Sequence, residues 1–227
     1  MDKSLQKEIQ KFPVFARDFN LSGQTLYDYQ SSMTPYVLEE RELRVTQMDV
    51  FSRLMMDRII WTAGPVDDRM STVVQAQLMF LDSLDNKDIT MHIDSPGGSV
   101  KAGLSMVDVM QYINSDVSTI NTGMAASMGA VLLGAGTKGK RASLRFSRTM
   151  LHQSSGGAGG NIQDARIAFQ EWEKYNKILF TLLSEFCDKD YDEIIRDCER
   201  DNWLDAQDAK AYGIVDEIVF KMKKRED

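Results

Sequence analysis

The chain has 227 residues, 43% of them hydrophobic and 27% charged, with a formal net charge of −7 at pH 7. That length supports one substantial core, as one domain with or without appendages, and the acidic balance argues against a phosphate-backbone binder, so no nucleic-acid partner is expected. No run approaches the roughly 18 apolar residues of a membrane span, and residues 1–10 lack the apolar core of a secretory signal, so a cytoplasmic protein with no membrane partner is the expectation.

Residues 1–33 are polar and irregular, and Gly23, Ser31, Ser32 and Pro35 cluster at a boundary, which separates an N-terminal extension (1–33) from a larger domain (34–227). From there, apolar β-rich runs alternate with helical patterns: strand 58–62, helix 68–83, strand 88–93, helix 100–113, strand 117–121 and helix 125–133. The alternation predicts an α/β fold of stacked β/α units with parallel strands. Two short extended runs follow, 141–144 and 149–153, and then the glycine-rich segment 154–160, whose backbone is either flexible or closely approached.

A long amphipathic helix starts near Asn161, an N-cap candidate with Asp164 three places on. Ala165, Phe169, Trp172, Tyr175, Leu179, Leu182 and Phe186 recur at helical spacing. At about 1.5 Å per residue it exceeds roughly thirty ångströms, long enough to project beyond a compact body. A charged helix over 188–201 and a strand near 214–220 close the pattern. No repeat of fixed period is visible, which excludes a solenoid.

Cys187 and Cys198 lack CxxC or Cys/His spacing, so free thiols are expected, with no disulfide framework and no metal site. Ser127, in Gly123-Met124-Ala125-Ala126-Ser127-Met128-Gly129-Ala130, sits where a strand pattern hands over to a helix of small residues. Free N–H groups and the helix dipole favour developing negative charge there, which suits an acyl-transfer nucleophile.

A hydroxyl nucleophile needs a base, and the chain has two histidines. His152 ends a strand beside the glycine-rich segment; His92 alternates with Thr90 and Asp94 inside another. Spacing alone does not choose between them. Nor does it choose among Asp188, Asp190, Asp192, Asp197, Asp201, Asp205 and Asp208 as the group that would orient an imidazole.

Each residue also has a bland reading: a packing serine bonded to a preceding carbonyl, a semi-buried structural histidine, and a solvated acidic helix face. Ala125 stands where GxSxG needs its first glycine, which excludes the nucleophile-elbow scaffold. The turn Asp94-Ser95-Pro96-Gly97-Gly98-Ser99 offers glycine N–H groups to an oxyanion or an extended ligand, although Pro-Gly-Gly more often marks a strand-to-helix turn. That turn carries neither GxGxxG nor a Walker-type GxxxxGK and is no phosphate loop.

Taken together, Ile93-Asp94-Ser95-Pro96-Gly97-Gly98-Ser99, Gly123 to Ala130, Met150-Leu151-His152-Gln153 and Cys198-Glu199-Arg200-Asp201 closely resemble the Clp protease family (peptidase family S14). Phe51-Ser52-Arg53-Leu54 and Asp57-Arg58-Ile59-Ile60 extend the resemblance, which covers about residues 34–220. It implies a ClpP/crotonase-like α/β fold with the long helix as a protruding handle. It also implies a serine endopeptidase with Ser127 as nucleophile, His152 as general base and then acid, Asp201 orienting the imidazole, and the Gly98 and Met128 N–H groups as oxyanion hole.

On the same resemblance Gly97, Ser99, Val100, Gln153 and Ser154 would hold an extended peptide. The family implies a homo-oligomer of two stacked heptameric rings. Unfolded protein substrates would be cut to short peptides inside their chamber, fed by an AAA+ unfoldase such as ClpX. ATP would be used by that partner, and no cofactor or metal is implied for this chain. A catalytically silent ring subunit and a crotonase-type acyl-CoA enzyme are the alternatives, and the triad in family order favours hydrolysis over both. Asp94 replaces the usual asparagine, Ser154 the usual proline, and Thr90, His92 and Ala142 stand where aromatic residues often line the ATPase docking pocket. Residues 1–33 exceed the family core and are expected to be a removable propeptide.

Overall fold

The computed structural model describes residues 36–41, 44–156 and 160–221; the expected extension, 1–33, lies outside the described residues. The chain divides into two compact units, Met1–Arg53 and Leu54–Asp227. In the first, β1 (Tyr36–Arg41) and β2 (Arg44–Asp49) form an antiparallel hairpin, with Tyr36 opposite Asp49 and Arg41 opposite Arg44. A short helix, α1 (Val50–Met56), follows Asp49, whose carboxylate accepts the Phe51 and Ser52 N–H groups at 3.0 Å each. None of these elements is predicted by the sequence, whose periodic pattern starts at residue 58.

The second unit is built on a seven-stranded mixed sheet. Its parallel path runs through β3 (Ile59–Ala63), β4 (Ile89–Ser95), β5 (Val117–Ala126), β6 (Arg141–Leu144) and β9 (Glu217–Val219). Off this path, β7 (Arg148–Leu151) pairs parallel with the end of β5, and β8 (Asn202–Leu204) closes antiparallel on β7. The expected alternation of strands and helices therefore holds.

Helices α2 (Asp68–Leu84) and α3 (Val100–Tyr112) supply the first two crossovers. Asp67 caps α2 by accepting the Met70 N–H at 2.7 Å, and Val74, Leu78 and Leu81 form its buried stripe. Ser99 caps α3, and Ala102, Met106, Val107 and Met110 face inward. Strand β4 buries Ile89, Met91 and Ile93 in strict alternation, the period of a pleated strand.

The register between β4 and β5 shifts: Ile93 lies opposite Asn121, but Ser95 lies opposite Ala125. The Asp94 carboxylate sits at this irregularity and accepts the Met124 N–H at 3.0 Å. Beyond it β5 changes partner. Thr119, Ile120 and Asn121 pair with β6, whereas Met124, Ala125 and Ala126 pair with β7. Asn121 is fully buried at the fork, where its amide donates to the Arg148 carbonyl at 3.0 Å and to Thr149 Oγ1 at 3.2 Å.

Helix α4 (Met128–Gly134) is shorter than the expected 125–133, because Ala125 and Ala126 remain in the β5 ladder. Helix α5 (Ile162–Cys187) is capped by Asn161, which accepts the Gln163 and Asp164 N–H groups at 3.0 Å each, as the sequence suggests. Its 26 residues correspond to about 39 Å. Leu179, Leu183 and Cys187 are buried, while Ile162, Ile167 and Phe169 are exposed. Among the described residues no helix is long and apolar enough to cross a membrane.

The charged segment forms only α6 (Tyr191–Asp197) rather than a helix over 188–201. Asp188 is left-handed (φ 52°) and ends α5, Asp190 caps α6, and Cys198 closes it. Two further elements, β8 and α7 (Ala206–Tyr212), are too short to show a period in the sequence.

An ion pair between a buried arginine and a partly buried aspartate ties these layers. Arg141, 2% exposed, donates from Nε and Nη2 to Asp216 at 2.9 and 2.6 Å and from Nη1 to the Phe186 carbonyl at 2.8 Å. It thereby joins β6, the residue before β9 and the end of α5. Burial raises the Asp216 carboxyl, but the Arg141 guanidinium and the backbone N–H donors outweigh it and hold the group below its ordinary 3.8.

Arg141→Ala leaves a carboxylate without its counter-charge and is expected to cost about 3–5 kcal/mol, measured by urea denaturation. Because the folded Asp216 value is depressed, its contribution is full above pH 3.8 and is lost as the pH falls through the lower folded value. Asp216→Asn is therefore expected to flatten the acid limb of the stability profile.

Candidate active site

Ser127 occupies the junction of β5 and α4 with φ 54° and ψ −121°. For a residue with a Cβ, such a conformation costs about 1–3 kcal/mol and persists only when its surroundings enforce it. Here the Ser127 N–H donates to the Met150 carbonyl at 2.8 Å, and its own carbonyl accepts from Ala130 and Val131 at 3.0 and 3.3 Å. The hydroxyl makes no capping hydrogen bond.

Gly97 (φ 92°) passes directly beside this junction. A Cβ there would lie 2.6 Å from Ser127 Cβ and 2.7 Å from the Ala126 carbonyl oxygen. Gly98 (φ 151°) forms a parallel bridge with Val66, where an added Cβ would overlap the Val66 carbonyl. Val66 donates to Gly97 O at 2.9 Å and accepts from Ser99 at 2.8 Å. The Gly98 N–H is thereby left facing away from Val66. No acceptor among the described residues takes the Gly98 or Met128 N–H. The Met128 side chain is buried against Gly103 of α3, where a Cβ would overlap its terminal atoms.

The second half of the site follows from strand register. Leu151 of β7 lies opposite Asn202 of β8, so the next position on each strand brings His152 and Asp201 face to face. His152 Nδ1 lies 3.2 Å from Asp201 Oδ1. A carboxylate only accepts, so this contact requires the proton on Nδ1, the tautomer that leaves Nε2 of a neutral ring as the acceptor. Gln153 reinforces the pairing: its N–H donates to Cys198 O at 2.7 Å and its side-chain amide to Glu199 O at 3.0 Å.

Ser127 and His152 line one cavity, together with Gly98 and Met128. Val100, Val131, Leu151, Leu179 and Leu183 supply its apolar wall. No hydrogen bond joins the Ser127 hydroxyl to the imidazole. This arrangement brings together the predicted serine, one histidine and one aspartate, with two unpartnered N–H groups nearby. The Clp protease family model matches residues 40–222.

The chain belongs to the Clp protease family.

It is 51% identical over 210 residues to the ATP-dependent Clp protease proteolytic subunit of Bacteroides thetaiotaomicron, covering 90% of this chain and 96% of that one. It is 53% identical over 190 residues to the proteolytic subunit of a Bacteroides fragilis strain (83% and 92% covered), and 50% over 213 residues to that of Porphyromonas gingivalis (92% and 96%). The resemblance read from the ordered motifs thus holds over most of the chain, as does the α/β fold of the Clp family.

Outside this site, the other candidate residues hold structural positions, except Asp192 and Asp208, which are exposed to solvent. His92 stacks on Trp61 with ring centroids 4.8 Å apart, its Nδ1 is buried without a partner, and burial lowers its basicity. Asp188 ends α5, Asp190 and Asp205 cap helices, and Asp197 accepts the Tyr212 hydroxyl at 2.9 Å. Both cysteines are free and buried, and burial pushes their thiols up to about 12. A GxGxxG spacing does occur at Gly134, Gly136 and Gly139. It leads from a helix into a strand, the reverse of a dinucleotide site.

Of the residues expected along the peptide, Val100 lines the cavity, Ser99 caps α3, and Gln153 and Ser154 have their N–H groups bonded within the chain. Asn121 and Gly103 have no signature in the sequence, because a fork and a helix-packing contact leave no local motif. Gly97→Ala is expected to displace Ser127 and lower peptide turnover about 100-fold, as small misplacements of reacting groups do, with the circular-dichroism spectrum unchanged.

Proposed function

We propose that this Clp-family protease is a serine endopeptidase with Ser127 as nucleophile, His152 as general base and acid, and Asp201 as the group orienting the imidazole. Ser127 Oγ attacks the scissile carbonyl carbon while His152 Nε2 takes its proton. The carbonyl oxygen becomes an oxyanion that accepts from the Gly98 and Met128 N–H groups. Collapse breaks the C–N bond, and His152 returns the proton to the departing amine. Water then repeats the sequence on the acyl-enzyme. The observation that carries this reading is the strand-register pairing of His152 with Asp201 beside a strained serine whose hydroxyl caps nothing.

An extended peptide would lie between Gly97–Ser99 and the segment following His152, held mainly by its backbone, which gives broad sequence tolerance. The apolar wall favours an apolar side chain next to the cut bond. A silent subunit or an acyl-CoA enzyme gains no support from a hydroxyl and an imidazole sharing one cavity, with that imidazole paired to a carboxylate.

The same reading extends to assembly: two stacked heptameric rings in the cytoplasm, supplied with unfolded protein by an AAA+ unfoldase such as ClpX, which uses the ATP. It is supported by the names of the relatives, which are ATP-dependent and subunits. The exposed Ile162, Ile167 and Phe169 on α5 fit a further contact between subunits. Residues 1–33, which precede the start of the family match at residue 40, are proposed to be a removable extension.

A fluorophosphonate is expected to label Ser127, as located by peptide mapping; absence of that adduct in the assembled protein overturns the mechanism. Ser127→Ala is expected to reduce peptide hydrolysis by about 10⁶-fold and Asp201→Asn by about 10⁴-fold, with assembly intact by size-exclusion chromatography.

A further inference from the structure

The segment that leaves β7 after His152 is tied in two opposite directions. Gln153 bonds back to Cys198 and Glu199, on the side that carries Asp201. From the next residue the bonds turn toward α5. Asn176 Oδ1 accepts the Ser154 N–H at 3.0 Å, and the Trp172 indole N–H donates to Ser154 Oγ. Two residues on, Gly156 lies against the Trp172 ring, where an added Cβ would be 3.1 Å from the nearest ring carbon. Trp172 and Asn176 are four residues apart on one helix and so share a face. The same helix sends Leu179 and Leu183 into the cavity wall beside Ser127.

We propose that Ser154, Trp172 and Asn176 form a clamp that positions the peptide-binding edge after His152, setting substrate affinity without touching the reacting atoms. This rests on the peptidase reading above. Ser154 is a positioning residue because its N–H donates to Asn176 and its Oγ accepts from Trp172, so both hold the chain on α5 and the N–H is not left to donate to a peptide. Among the described residues, 152–156 belong to no strand ladder, so without these bonds the edge would have to be ordered each time a peptide bound. Holding it against α5 beforehand removes that cost from binding, the general basis of preorganised affinity. The clamp also places the edge and the apolar wall on one rigid element.

The test uses the full chain with Ser154→Ala, Trp172→Phe and the double variant. Phenylalanine keeps a ring against Gly156 and removes only the indole N–H. On a fluorogenic peptide each single variant is expected to raise KM about three- to tenfold, the scale of one lost hydrogen bond, with kcat within about twofold. The double variant is expected to match the worse single, since both remove the same bond. Multiplying effects, a loss confined to kcat, or an unchanged KM overturns the proposal.

Hydrogen–deuterium exchange of peptides spanning 152–156 reads the clamp without any activity. Faster exchange in both singles, with no further gain in the double, supports it. Unchanged exchange overturns it whatever the peptide assay gives. Fluorophosphonate labelling of Ser127 in the unsubstituted chain tests the peptidase reading separately, so failure of either idea is distinguishable.

Discussion

Strand β5 is ten residues long but has no single partner on its far side, and the site is built at the point where it changes from β6 to β7. The shift needs an irregularity against β4, which the Asp94 carboxylate fills by accepting the Met124 N–H. It also needs a polar residue buried at the fork, and the Asn121 amide satisfies the strands on that side. Once β7 lies beside the end of β5, the Met150 carbonyl is in place to accept the Ser127 N–H. Strand β8 then returns antiparallel and brings Asp201 opposite His152. Because side chains alternate across a strand, a slip of one residue in β8 would turn Asp201 to the other face.

The electrostatics of the site are weak by themselves. The Asp201 side chain is 62% exposed and that of His152 21%, and exposed pairs of this kind contribute little to stability. What orients the ring is the backbone around it: the Cys198 and Glu199 carbonyls accept from Gln153, and Leu151 is buried beneath. The largely buried, doubly hydrogen-bonded pair, Arg141 with Asp216, lies elsewhere and locks β6 and the end of α5. The ion pair that ties the layers and the His152–Asp201 contact of the proposed site are thus separate, one largely buried and one open to solvent.

Periodic features are legible from the chain itself. The apolar stripes of α2 and α3, the alternation in β4 and the Asn161 cap of α5 all follow from local spacing, and the structure places them within a few residues of expectation. Features set by long-range pairing are not. Helix α4 begins late because Ala125 and Ala126 are claimed by a ladder with β7, a contact across more than twenty residues. Spacing does not choose Asp201 among seven aspartates, since the three-residue strand beside it has no period. Only the ordered motifs of the family point to it, and the register of β7 with β8 sets it opposite His152.

The crowding at Gly97, Gly98 and Gly129 changes what a mutational map of this protein would look like. At each, one added carbon would meet backbone atoms at or below 3.0 Å: Gly97 would crowd the segment carrying Ser127, Gly129 the turn at Ser95, and Gly98 the Val66 backbone bridged to that turn. None of these glycines has a side chain that takes part in any reaction. A screen scored only on turnover would nonetheless rank them with Ser127 and His152, the nucleophile and base proposed above, so residues found by loss of activity would outnumber those proposed to perform the chemistry. The two groups separate by size of substituent: a hydroxyl or an imidazole fails when its atoms are removed, whereas these positions fail when atoms are added.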